Sequence, residues 1–482
     1  MNALKVTSLA LALAAVFPAT AQAQSNKELL NELRALKQRV AELEQKVKAD
    51  EAAKASKPAP VAVEAAPAGM TVDQQQEFNR IAVKTEAIED ARESSGLRGL
   101  KISGYMDPAF IYNKNQDTAG FQFLNQVGDD GYNYDNGYFG MAQLDIQKEM
   151  DGGTKWRLTL QPNRGVGEVF NAGNIIAEAS VSVPLGDLQT RMIAGQIPDW
   201  SGYEYLPGTQ NKLITHNLLF DFTLPTAYTG AGLELTRGKW IMKGLLANMN
   251  ASKKNTGDKT PVFAYRVDYA KGEFNGFGFA GVHGKAANFR ADDGVGNPIT
   301  GEAYDLKDTA VNLFEIDGYF IRGDWTVQGQ LSYGTQKDAA IYANAETGEL
   351  QDASWWGASG LAAYKFTPQF EGIVRADYVS NKKNGGGLLG YNFSDGRNGI
   401  GPGKFQTDDM TLCGASWCDD PASDGSDRYA LTFGLGYLYN LNTTFKAEYR
   451  YDASNKQVFE VVKDGSYKKS NQLFGVATVV SF

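Results

Sequence analysis

From Leu97 to Phe482 the chain alternates large apolar residues with polar or small ones at a period of two, and that pattern limits its fold more than any other feature. In "NQLFGVATVVSF", residues 471–482, one face carries Phe474, Val476, Thr478, Val480 and Phe482. The other carries the smaller set Leu473, Gly475, Ala477, Val479 and Ser481. The same pattern recurs in pairs joined by tight turns. Trp156, Leu158 and Leu160 alternate with Arg157, Thr159 and Gln161 after Asp151-Gly152-Gly153, and Trp325, Val327 and Leu331 alternate with polar residues after Arg322-Gly323-Asp324. Phe445, Ala447, Tyr449 and Tyr451 oppose Lys446, Glu448 and Arg450 after Asn440-Leu441-Asn442.

A charge facing hydrocarbon near the bilayer midplane costs about 2–4 kcal/mol, so an apolar face backed by a charged one puts lipid outside and water inside. A soluble sandwich would bury its apolar faces against each other. Outward faces that end in Tyr, Trp or Phe, long strands, and short turns alternating with long polar loops favour the barrel. Strands are expected to start near 99, 138, 154, 174, 188, 226, 239, 261, 276, 308, 324, 353, 369, 426, 443 and 470. Sixteen antiparallel strands leave both ends on one side, with seven tight turns there and eight longer connections opposite. The fold class expected is therefore an all-β transmembrane barrel of about sixteen strands over 97–482.

Four segments precede it. Residues 1–23 hold Lys5, an apolar run and Ala21-Gln22-Ala23, the form of a secretory signal. In 24–54, Leu29, Leu33, Leu36, Val40, Leu43 and Val47 keep a heptad. Its g-to-e′ pairs Glu32–Lys37, Arg39–Glu44 and Lys46–Glu51 are opposite in sign, which suits a parallel self-associating coiled coil and leaves dimer or trimer open. Residues 55–70 read as an Ala/Pro-rich linker, and 71–96 as a short amphipathic helix with Phe78, Ile81 and Ile88 on one side.

The formal charge of −9 excludes nucleic acid as a partner. With only His216 and His283 and no serine nucleophile placed beside either, no enzyme, cofactor or metal centre is expected. Cys413 and Cys418, in a long outer loop of an exported chain, are expected to form a disulfide. The aspartates around them lack EF-hand spacing and read as a solvated acidic loop.

Function is then expected in the lumen. Its basic set includes Arg157, Arg191, Lys243, Arg375, Lys446 and Arg450; its acidic set, with Glu448 among its members, is as large. A single-sign ring is absent, so strong charge selectivity is not expected. Arg375, Lys446 and Arg450 are expected to form a basic wall facing Asp199, Glu204 and Asp221 of the third outer loop, with a transverse field across the lumen. Trp200, Tyr203, Tyr205 and Phe222 of that loop are candidates for stacking on sugars or for packing the loop. Lys365 and Glu371 are expected to pair across their turn.

The segment "IAGQIPDWSGYEYLPGTQNKLITHNLLFDF" followed by "YTGAGLEL" is similar to the OmpL-like porins, and the region after Leu97 resembles trimeric outer-membrane porins. That resemblance implies diffusion of small hydrophilic solutes or ions, a third loop folded into the lumen as a constriction, and a homotrimer among lipid and lipopolysaccharide. It also implies that terminal Phe482 is the signal read by the barrel insertion machinery, with the coiled coil in the periplasm, a feature similar to some phosphate-selective porins. The competing expectation is a non-conducting barrel that anchors the coiled coil near the cell wall.

Overall fold

The computed structural model describes residues 72–94, 96–123, 140–161, 175–249, 261–272, 274–288, 296–304, 308–389, 401–420 and 424–482. The signal segment, the heptad stretch and the linker lie outside the described residues. The chain divides at Gly96 into two units. In the first, helix α1 (Val72–Ser94) leaves Phe78 and Ile81 more than half exposed and carries an Arg80–Glu77 ion pair at 2.5 Å. Among the described residues no helix is long and apolar enough to cross a membrane.

The second unit, Leu97–Phe482, is the barrel. Its first segments are β1 (Leu100–Met106), β2 (Ala109–Asn113), β3 (Thr118–Gln122), β4 (Ala142–Glu149), β5 (Lys155–Leu160), β6 (Ile176–Leu185) and β7 (Asp187–Pro198). After the short helix α2 (Leu218–Phe222) come β8 (Ala227–Arg237), β9 (Trp240–Met249), β10 (Val262–Gly272), β11 (Asn275–Ala287), β12 (Asp308–Arg322) and β13 (Trp325–Gln336). Then follow β14 (Ala353–Lys365), β15 (Phe370–Asn381), β16 (Lys404–Gln406), β17 (Trp417–Asp419), β18 (Ser426–Asn440), β19 (Thr443–Ser454), β20 (Phe459–Val461), β21 (Ser466–Lys468) and β22 (Ser470–Ser481).

Eighteen segments form one sheet, and β1 and β2 both pair with β22, which closes it. The ring has sixteen staves because two are broken. Pro108, with no N–H to give, separates β1 from β2. The second stave is β3 followed by β4, which pair with β2 and β1 respectively. This corrects two expectations. The second strand does not begin near 138 but at Thr118, and the first loop-end connection is a tight turn, Lys114–Asp117. Asn113 Oδ1 accepts the Gln116 N–H at 3.4 Å, and Asp117 has φ 53, so four residues suffice to reverse the chain there. The long excursion interrupts the stave instead of joining two.

Every pairing is antiparallel, so side chains alternate between the lumen and the outside. In β12, Thr309, Val311, Leu313, Glu315 and Asp317 are buried inward while Ala310, Asn312, Phe314, Ile316 and Phe320 are exposed outward. Aromatics gather outside at both ends. Trp240, Tyr269 and Phe277 cluster toward the tight turns, with Trp325 and Tyr364 at 4.7 Å and Phe370 and Tyr437 at 4.5 Å. Trp356 and Tyr378 at 4.8 Å and Tyr378 and Tyr429 at 5.2 Å mark the loop end. Between them lie Ile316, Leu331, Val374 and Leu431, all exposed.

Loop 3 against the lumen wall, a candidate functional site

Loop 3, residues 199–226 between β7 and β8, enters the lumen. The local sequence "THNLLFDF" makes a cap and one helical turn: Asn217 Oδ1 accepts from the N–H groups of Leu219 at 2.9 Å and Phe220 at 2.8 Å. This presents Leu218 and Leu219, both fully buried, to the wall. The wall is shaped to receive them. A Cβ on Gly357 of β14 would sit 3.1 Å from Leu219 Cδ1, and one on Gly434 of β18 only 2.3 Å from Leu213 Cδ2. Small lumen-facing residues on late strands are thus sockets for apolar loop side chains.

Polar ties hold the loop beside these sockets. Arg375 of β15, fully buried, donates through Nη1 to Glu204 Oε1 at 2.8 Å and Thr215 O at 2.7 Å. Its Nη2 reaches His216 O at 2.9 Å and its Nε reaches Asp377 at 3.1 Å. Glu448 of β19 accepts the N–H groups of Ile214 at 2.6 Å and Thr215 at 3.0 Å, and the Thr215 hydroxyl. Lys446 donates to Gly208 O at 2.6 Å and Asn211 O at 2.5 Å. Arg450 reaches His216 O at 2.7 Å while Asp452 holds its Nε at 3.0 Å, and Asp221 lies 3.9 Å from its Nη1. Glu204 and Asp221 therefore meet Arg375 and Arg450 with no open gap, whereas Asp199 bonds to Tyr228 and Ser201 instead. Buried charges of this kind are tolerable only when paired and hydrogen-bonded.

Burial has marked consequences for the loop's ionisable groups. It drives His216 down to about 3 against the opposing contact with Tyr205 O. It pushes Asp221 up to about 8 in spite of Arg450. Glu204 and Asp199 are also raised by burial, against the pull of Arg375 and the Tyr228 hydroxyl respectively.

The loop aromatics divide. Tyr203 donates to or accepts from Ser359 Oγ at 2.6 Å and is buried, and Phe222 lies under the Arg428 guanidinium at 4.7 Å. Trp200 packs 5.4 Å from Tyr228, with Lys243 Nζ 5.9 Å from its ring. Tyr205 alone of the four is exposed, at 49%. Asp199 accepts from Tyr228 Oη at 2.6 Å.

Toward the tight turns the lumen differs. Arg157 pairs with Asp145 at 2.8 Å and Glu178 at 3.1 Å with its side chain still 39% exposed. Lys243 pairs with Glu234 at 3.2 Å and is 32% exposed. Arg191 is buried and ties the wall to a turn through Gly153 O at 2.6 Å. Register sets Lys365 opposite Glu371, yet the Glu371 carboxylate turns to Lys212 of loop 3 at 2.7 Å, a correction to the expected pair. The loop ammonium approaches from inside the lumen and is 25% exposed, whereas Lys365 is an exposed residue. At the loop end, Cys413 and Cys418 form a disulfide beside the β16–β17 hairpin. Phe482 closes the barrel seam by exchanging backbone bonds with Gly104 at 3.0 and 3.2 Å.

Sequence reasoning missed Lys212, Leu213, Ile214, Thr215 and Asn217, the residues that seat the loop. It also missed that the loop-end lumen is dry: Leu245, Val262, Val282, Leu313, Trp355 and Val379 form one buried cluster with Leu218, Leu219 and Phe222. A signal for this exists. In "GLLANM" and "AVNLF" both faces are apolar, so alternation fails where the inward face meets protein instead of water.

A family model described as "Protein of unknown function (DUF3138)" matches residues 1–482, and the chain belongs to that family. No curated protein matches it. The chain is similar in structure to the outer-membrane expressed OmpT of Vibrio cholerae, with a TM-score of 0.48 and 10% identity, over 80% of this chain and 97% of that one. It is also similar to an anion-selective porin from Comamonas acidovorans, with a TM-score of 0.46 and 12% identity, over 80% and 99%. For OmpF of Salmonella typhi, in complex with daunomycin, the TM-score is 0.44 and the identity 11%, over 80% and 97%.

Proposed function

We propose that this DUF3138 member is an outer-membrane porin whose lumen passes small hydrophilic solutes or ions, with loop 3 governing passage. The observation that carries the reading is the pairing of an exposed apolar outer wall, belted by aromatics, with a charged lumen into which one loop is bound through buried ion pairs. Solutes would meet Arg157, Lys243 and Glu234 in the turn-end lumen, and Arg375, Lys446, Glu448 and Arg450 act as the seat of the constriction formed by Asp199, Trp200, Tyr203, Glu204 and Asp221.

The rest of the expected organisation fits this reading. Residues 1–23 direct export, and the 24–54 heptads join copies, with a trimer favoured by the porin resemblance, in the periplasm. The barrel sits among lipid and lipopolysaccharide, the disulfide staples an outer loop, and Phe482 serves insertion. One observation favours a second reading, a barrel that anchors the stalk and does not conduct: Trp355, Leu313, Val262 and Tyr228 are at most 1% exposed in the loop-end lumen. Planar-bilayer recordings in several salts separate the two. Discrete, ion-dependent steps support the porin, and their absence from protein that has inserted supports the anchor.

A further inference from the structure

Asp221 is the least comfortable group in the lumen. It is 6% exposed, among the described residues neither of its side-chain oxygens has a hydrogen-bond partner, and the guanidinium paired with it, Arg450 at 3.9 Å, is also engaged by Asp452 and His216 O. Around it stand Arg375 and Asp377 on β15, Arg428 on β18, Arg450 and Asp452 on β19, and Glu204 and His216 of loop 3 itself; the lumen face of β14 that packs on α2 contributes Trp355, Gly357 and Ser359, none of them charged. Asp377 and Asp452 are the nearer partners of these guanidiniums, at 3.0–3.1 Å against 3.9 Å for Asp221. A buried carboxylate without donors is costly, whereas the protonated acid in the same place is tolerated.

We infer that loop 3 is a proton-operated latch, in which Asp221 must hold a proton for α2 to stay seated, so that the loop leaves the wall as pH rises. This rests on the porin reading only for its consequence, the opening of the lumen; the release itself does not depend on conduction.

The sign follows from the two ends of the equilibrium. Seated, Asp221 keeps its proton up to about pH 8, whereas released it loses it near 3.8. His216 works the other way: released, it takes a proton below about 6.5, and seated only below about 3. From about pH 4 to 6.5 the seated loop holds one proton on Asp221 and the released loop holds one on His216, so the two cancel. Above that window the released histidine is neutral and Asp221 stands alone. Seating then weakens by up to about tenfold per pH unit, or about thirtyfold between pH 6.5 and 8. The raised Glu204 acts in the same direction as Asp221.

The test is amide hydrogen exchange of residues 213–222 in the detergent-folded full-length protein from pH 6 to 9, corrected for intrinsic rates and referred to β12–β13 ladder amides. The expected result is a fall in relative protection of about thirtyfold between pH 6.5 and 8, and a clearly shallower profile in Asp221→Asn. A flat wild-type profile overturns the latch without any variant, and so does an Asp221→Asn profile that falls as far as the wild type. Bilayer currents taken over the same pH range are read separately. Release without current removes the porin reading and keeps the latch, and current with no pH-dependent release does the reverse.

Discussion

The two ends of the lumen are lined by the same sixteen staves and yet obey different rules. At the loop end the inward side chains are apolar and dry, with Leu313, Val262 and Trp355 at most 1% exposed. Toward the turn end charged side chains stay part-exposed, Arg157 at 39% and Lys243 at 32%. The boundary is the belt of Arg375, Glu448 and Arg450, where loop 3 is bound. A barrel wall alone does not decide whether its interior is solvent or core. What fills it decides: α2 and the loop-end segments Ala339–Ile341 and Leu388–Leu389 pack the large apolar cluster, and Tyr203 and Leu213 pack a smaller one with Leu361, Ala363 and Ile373.

The comparison breaks most severely if the belt is cut. Arg375→Ala leaves Glu204, Asp377 and the carbonyls of Thr215 and His216 without their donor, and loop seating is expected to lose about 3–5 kcal/mol. Exchange protection across 213–222 should fall to the exposed level while the strand ladder stays protected. Leu219→Ala empties a socket in the dry half and is expected to cost about 2–5 kcal/mol, read as a lower denaturant midpoint of the folded barrel. Gly434→Val forces Leu213 aside and should cost about 1–3 kcal/mol by the same measurement. At the wet end the effect should nearly vanish: Lys243→Ala, which removes a one-third-exposed ion pair, is expected to change stability by less than about 1 kcal/mol. It should still move the reversal potential in a salt gradient toward cations. A large stability loss at Lys243 and a small one at Leu219 would erase the distinction between the halves.

How much of this was legible follows the same divide. Period-two strands such as β12, β18 and β19 stand out because inward charge and outward aromatics alternate over a dozen residues. The split stave did not, because β3, "TAGFQ", is five mostly small residues with little contrast between faces. Loop 3 was recognisable by its length and place. Its seating was not, because Arg375 and Glu204 are 171 residues apart and no local pattern joins them. Lys365 and Glu371 show the converse: adjacency across a turn was legible, and a loop lysine from outside the hairpin took the carboxylate. His216 looked like an unused base in the sequence, and burial beside Phe220, stacked at 4.1 Å, makes it a neutral packing residue.

If loop 3, held by Arg375, governs passage as proposed, cutting that tie must change conduction. Single-channel currents of wild type and Arg375→Ala in one planar bilayer system at pH 6 test it most directly. The account predicts brief or small openings for wild type and a larger, sustained conductance for the variant. Identical currents from both proteins, or silence from both after verified insertion, would contradict it.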